Sequence, residues 1–216
     1  MKVCSIGSFC QSSKLLQRLK LKEESYPFDW ILSNHKMVKH CIEDDFKCFL
    51  DKSQYTFIPT SAYTHKVCGH SYYSEVVDFT NENVPGGVFM HHDLAQDEKD
   101  YAYFARCVDR FRELIASDEQ KVFIYFCRNY PKDNVQNVLS EGLEFIKFLD
   151  EYVTNYNLIF IHHSVGELNH YVGEFDNLKF VTLYASHSNG LEFMEDSHNV
   201  YLDNIIKKLI DEIRKA

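Results

Sequence analysis

Lys121-Val122-Phe123-Ile124-Tyr125-Phe126-Cys127 decides the fold. The run is apolar without alternation. A strand with one wet face alternates apolar and polar residues, and a strand covered on both faces does not. Strands of that kind belong to parallel sheets, whose crossover connections lay helices over the faces. The flanks agree. Tyr101, Phe104, Val108, Phe111 and Ile115 recur at helical spacing between Asp97 and Ala116, with Asp97 placed to cap the helix. Asn134 to Tyr152 reads as a second helix, Asn157–Ile161 and Leu178–Tyr184 as further strands. Val200 to Ile213 reads as a closing amphipathic helix with Leu202, Ile205, Ile206, Leu209 and Ile213 on one side. Upstream, Lys2–Ile6 reads as a short buried strand and Gln11–Leu21 as a helix. His35–Asp51 reads as another, carrying Met37, Val38, Cys41, Ile42, Phe46, Phe49 and Leu50. The alternation predicts one α/β domain over residues 1–216. Its sheet is mostly parallel and Rossmann-like, with helices on both faces. Residues 54–88, which hold Pro59, Gly69, Pro85, Gly86 and Gly87, read as an irregular insertion with short strands or a hairpin.

Composition narrows the classes. The 216 residues are 45% hydrophobic and 25% charged, which suits one sizeable core. A net charge of −9 argues against nucleic acid as the main partner, because phosphate binding needs a basic footprint. No apolar run reaches the length of a membrane span, and the N-terminus lacks the apolar stretch of a signal peptide. The seven cysteines are odd in number and scattered without a repeating spacing. They read as reduced thiols of a cytoplasmic protein.

Sites in open parallel sheets form beyond the carboxyl ends of the strands. Those ends carry useful chemistry here: Gly7, Ser8 and Cys10, then Arg128 and Asn129, then His162 and His163, then Ser186, His187 and Ser188. Gly7 permits a tight turn, and Ser8 is placed to cap the helix behind it. A thiol at a helix start, beside open amides, is expected to have a lowered pKa and to act as a nucleophile. That makes Cys10 the candidate, with a histidine as base. His163 and His187 qualify by their place at strand ends. Asp29 lies between Phe28 and Trp30, where a raised pKa suits a general acid or base. Arg128 and Arg110 suit a carboxylate or phosphate. His65, Cys68 and His70 form a short cluster without a fourth ligand at matching spacing, so no metal and no cofactor is expected. Gly7-Ser8-Phe9-Cys10 lacks the further glycines of a dinucleotide loop and the lysine of a P-loop.

Ser5-Ile6-Gly7-Ser8-Phe9-Cys10, a helix, then Tyr26-Pro27-Phe28-Asp29-Trp30 resembles a family of bacterial and viral proteins labelled papain-like cysteine peptidases. The similarity extends to His91-His92-Asp93 and the arginine-bearing helix behind it. The resemblance implies Cys10 as nucleophile, His92 as base and Asp29 beside them, with Trp30 and Asp93 lining the site. The opening is also loosely similar to the GSCFA-type relatives of the SGNH hydrolases, which place a nucleophile just after the first strand. A papain-like fold would set the cysteine helix against a mostly antiparallel sheet, whereas the second half of this chain reads as parallel.

Three functions follow. The first is a cysteine-nucleophile hydrolase or acyltransferase acting on a small-molecule, glycan or peptide substrate. The second is a glycosyltransferase or other carbohydrate transferase of a surface-glycan pathway. In it Gly7, Ser8 and Arg128 hold the phosphates of a nucleotide sugar, and His163 or His187 stands at the rim. The third is a binding module without turnover.

Overall fold

The computed structural model describes residues 1–58, 67–76, 87–128 and 135–215, without the side chains of Val76 and Arg128. Five strands form the main sheet: β1 (Lys2–Ser5), β5 (Lys121–Arg128), β6 (Tyr156–Val165), β7 (Asn169–Phe175) and β8 (Leu178–Ala185). Their order is β1-β5-β6-β8-β7. The first four run parallel, and β7 closes one edge antiparallel to β8. The sheet is mostly parallel, as the apolar run requires.

Side chains alternate across a strand, so each strand feeds both layers. Phe123, Tyr125, Leu158, Phe160 and Phe180 face one layer, with Phe111 of α4 (Glu98–Ala116) and Phe145 and Leu149 of α5 (Val135–Tyr152). Val122, Ile124, Phe126, Ile159, Ile161, Val181 and Leu183 face the other. There they meet Leu15 and Leu16 of α1 (Cys10–Arg18) and Leu202, Ile206 and Leu209 of α6 (Asp196–Lys215). Burying one such side chain is worth about 1.5–3 kcal/mol, so both faces are strongly held.

The insertion contains a second, antiparallel sheet in the order β2 (Tyr55–Phe57), β3 (Cys68–His70), β4 (Gly87–Phe89). A short helix, α3 (Tyr73–Val76), follows β3. Ile31 bridges to Phe89 and ties this small sheet to the loop after α1.

Three helix boundaries and one strand differ from expectation. The helix expected to reach Leu21 stops at Arg18, because Lys20 turns left-handed at φ 58°. The helix expected over His35–Asp51 is α2 (His35–Glu43), capped by Asn34, whose side chain accepts from the Met37 amide. Asp45 and Phe46, at φ 53° and 55°, turn the chain out of it. β7 was not expected. As an edge strand it carries exposed residues on both faces and shows no apolar run. The last helix begins earlier than Val200, at Asp196. Among the described residues no helix is long and apolar enough to cross a membrane.

Candidate functional site

α1 leaves β1 toward the layer it shares with α6, whereas α5 leaves the neighbouring β5 toward the opposite layer. Adjacent strands that send their helices to opposite faces part at their carboxyl ends, which is where open sheets build sites. Gly7 to Gln11 stand at that parting.

Gly7 has φ 114°, and a Cβ built there would lie 2.5 Å from Ser33 Oγ, so only glycine fits. Its carbonyl accepts from the Phe126 amide at 2.8 Å, and the Ser8 amide donates to the Phe126 carbonyl at 3.2 Å. The β1–β5 pairing thus runs on past the strand. Ser8 Oγ donates to the same Phe126 carbonyl at 2.6 Å. This corrects the expected role of Ser8: its hydroxyl closes the turn and does not cap the helix. The N-cap is Phe9, which offers no side-chain cap. The Ser8 amide is also committed, which weakens the turn as a phosphate cradle.

Cys10 is the first residue of α1 and is buried. Burial pushes its thiol up to about 12; its own amide opposes the shift and the Asp29 carboxylate adds to it. This reverses the expected depression. A helix start lowers a thiol pKa only when the thiolate keeps some solvation, and here desolvation wins. Gln11, fully buried, accepts from Ser188 Oγ at 2.6 Å through Oε1, which pins the loop after β8 to the start of α1. Gln11 Nε2 has no hydrogen-bond partner among the described residues.

Tyr26-Pro27-Phe28-Asp29-Trp30 is an anchor. Phe28 is fully buried, edge-on to Phe111 at 5.6 Å and 5.8 Å from Phe46. Asp29 Oδ2 accepts from the Tyr26 amide at 2.8 Å and forms an ion pair with Lys22 Nζ. Burial pushes the Asp29 carboxyl up, while Lys22 and the Tyr26 amide draw it back. Ser13 Oγ stands by the carboxylate without completing a hydrogen bond. Trp30 is half-buried, with Lys22 Nζ 6.0 Å from its ring centre. Arg110, expected as an anion site, donates to the Ser25 carbonyl at 3.2 Å and braces the same loop.

His92 has the setting a base needs. Its Nδ1 lies 2.9 Å from Asp100 Oδ1, in the first turn of α4. Its ring stacks on Tyr103 with centroids 5.1 Å apart, and it is half-buried. A carboxylate on one ring nitrogen fixes the tautomer and leaves the other nitrogen to work. Asp100 also accepts from the Asp93 amide at 2.8 Å, so it holds both His92 and the backbone beside it. Sequence reasoning missed Asp100; its one signal was an acid in the first turn of a helix just after His92. Asp93 itself caps a turn, accepting from the amides of Ala95 and Gln96. That accounts for its carboxylate without a substrate.

The structure joins His92 to Asp100 and Tyr103. The Asp29 carboxylate adds to the upward shift of both the Cys10 thiol and the Tyr103 hydroxyl, behind the larger effect of burial. No hydrogen bond joins Cys10 to a histidine among the described residues. The remaining candidate histidines have these settings. His163 is buried, with Nε2 3.1 Å from the Ser186 carbonyl and its ring 4.9 Å from Phe193. His187 is exposed. His198 Nδ1 accepts from the Ser186 amide at 2.9 Å, and its Nε2 is 3.3 Å from Glu195. The Arg128 backbone pairs with His163, and its side chain lies outside the described residues, as do Asn129 and His65.

A family model described as "Putative papain-like cysteine peptidase (DUF1796)" matches residues 1–166. The chain is 33% identical over 132 residues to "Uncharacterized protein R408" of Acanthamoeba polyphaga mimivirus. The match covers 56% of this chain and 59% of that protein, so the chain spans less than two thirds of the relative's length. No solved structure matches.

Proposed function

Because the chain belongs to the family described as "Putative papain-like cysteine peptidase (DUF1796)", we propose that it is a cysteine-dependent acyl hydrolase, with Cys10 as nucleophile, His92 as base and Asp100 orienting the base. The observation that carries this reading is the 2.9 Å contact between His92 Nδ1 and Asp100 Oδ1. A thiol held near 12 is neutral at physiological pH. The nucleophile is therefore made during the reaction: the base takes the thiol proton as sulfur attacks the acyl carbon. The leaving group receives that proton, and water then cleaves the thioester. This reading requires bound substrate to bring the Cys10 thiol within reach of His92, as catalytic hydrogen bonds tighten in the complex. Family membership and the dyad favour this over the sugar-nucleotide reading, which no geometry of the described residues supports.

The test is turnover of a panel of peptide and ester substrates, with intact mass on Cys10 after reaction with a substrate-like acylating probe. Cys10→Ser and Cys10→Ala should abolish turnover and labelling. His92→Ala should lower kcat/KM by about 10²–10⁴-fold, with Asp100→Asn also lowering it. Full turnover in Cys10→Ala would remove the reading.

A further inference from the structure

We propose that His40, Asp44 and Cys48 form a zinc site where α2 ends, separate from Cys10 and its partners. The imidazole nitrogen, carboxylate oxygen and thiol sulfur of these residues all lie within 4.8 Å of one another. His40 Nδ1 and Asp44 Oδ2 are 3.9 Å apart. Two ligands on one tetrahedral zinc ion stand about 3.4–3.8 Å apart, given bonds of about 2.1–2.3 Å. The three groups thus need to close by only a few tenths of an ångström to about an ångström.

The local chain builds this arrangement. His40 and Asp44 are four residues apart across the end of α2 and share a face. The left-handed residues Asp45 and Phe46 then fold the chain back, and the Cys48 amide donates to Asp44 Oδ2 at 2.8 Å. That bond fixes the carboxylate. Its other oxygen, Asp44 Oδ1, is buried with no hydrogen-bond partner among the described residues. A carboxylate oxygen hidden from water without a donor is costly, and a bound cation would offset that cost. All three residues keep partial exposure, so an ion has a way in.

The donor set selects the metal. Magnesium and calcium take oxygen ligands, whereas a mixed nitrogen, sulfur and oxygen set suits zinc. Three protein ligands leave a fourth position to water. Tyr73 Oη now lies 2.9 Å from His40 Nδ1 and 3.2 Å from Cys41 Sγ, beside Cys48. When Nδ1 gives its lone pair to zinc, the Tyr73 proton turns to the Cys48 sulfur. Cys48 loses its thiol proton to solvent, one proton per ion bound. Of the cluster singled out by spacing, His65 lies outside the described residues, and Cys68 and His70 are engaged elsewhere. Cys68 Sγ donates to the Gly69 carbonyl, and His70 Nε2 meets the Cys48 carbonyl at 3.0 Å.

Cobalt(II) is the probe, titrated into the full chain after treatment with EDTA. The expected result is one equivalent bound, with a thiolate-to-cobalt charge-transfer band that zinc(II) removes. Cys48→Ser should lose the band, and His40→Ala and Asp44→Asn should weaken binding at least about tenfold. Cys10→Ser should keep the band, which separates this site from the proposed nucleophile. Far-ultraviolet circular dichroism checks that each variant is folded. No band in the unaltered chain, or a band that survives Cys48→Ser, overturns the proposal.

Discussion

Asp29 reads as catalytic from its place between two aromatics, and the fold gives it structural contacts as well. An acid between two aromatics suggests a tuned proton donor, and the position is indeed buried. Yet Lys22 and the Tyr26 amide hold one carboxylate oxygen, and Phe28 beside it is wedged among Phe46, Phe49 and Phe111. The pair is buried on both sides, so removing one partner leaves an uncompensated charge. Lys22→Met should cost about 3–5 kcal/mol in urea denaturation. A loss under 1 kcal/mol would mean the pair is solvated and the loop is held by Phe28 alone. Cys10 is the complementary case. Its place at a helix start was legible from a glycine turn after an apolar strand. Its raised pKa was not, because desolvation comes from packing that no local spacing encodes. Asp100 escaped for a related reason: an acid in a first helical turn reads as a dipole partner until His92 is seen folded back onto it.

At the scale of elements, the apolar runs of β5, β6 and β8 and the stripes of α4 and α6 were plain, because each is buried along its length. What the sequence hid were the places where a pattern continues past the element. Leu21 extends the apolar stripe of α1, but the helix has ended. The Lys20 amide donates to the Gln17 carbonyl and the Leu21 amide to the Leu16 carbonyl. This is a Schellman closure with lysine at the left-handed position and Leu16 and Leu21 in the same apolar layer. Lysine strains that conformation by about 1–2 kcal/mol, and glycine does not. Lys20 is exposed, so Lys20→Gly should raise stability by a few tenths to about 1 kcal/mol after its extra unfolded-state entropy. A fall in Tm would show that the lysine side chain contributes something its exposure does not reveal. Phe46 and Phe49 misled in the same way: they keep the period of α2 while the backbone has turned.

For the whole molecule, buried ionisable groups set the working range. Burial, with Lys36 and Lys39, pushes His35 down from 6.5 to about 4. The unfolded chain therefore binds a proton there that the folded chain refuses. The stability this gives is present above pH 6.5 and is lost as pH falls through about 4. Cys10 works at the other end, raised from 9.0 to about 12. Its contribution is complete below pH 9 and is lost as pH rises toward 12. The urea midpoint should be flat between these limits and fall on both sides; a midpoint that climbs on acidification from 6.5 to 4 would contradict the assignment of His35. The pairing of Lys2 with Lys121 carries a consequence for synthesis. β6 follows β5 after a single crossover helix and β8 follows β6 after β7, so these strands pair with near neighbours in the chain, but β1 has to wait for β5. The loop it closes is long and its entropy is lost before any contact repays it, so that closure is late. Until then Cys10 hangs on an open chain as an ordinary thiol, ionising as a free cysteine does and open to alkylation. Its shelter is completed by the sheet, and labelling of that sulfur during refolding therefore times the moment the first and fifth strands meet.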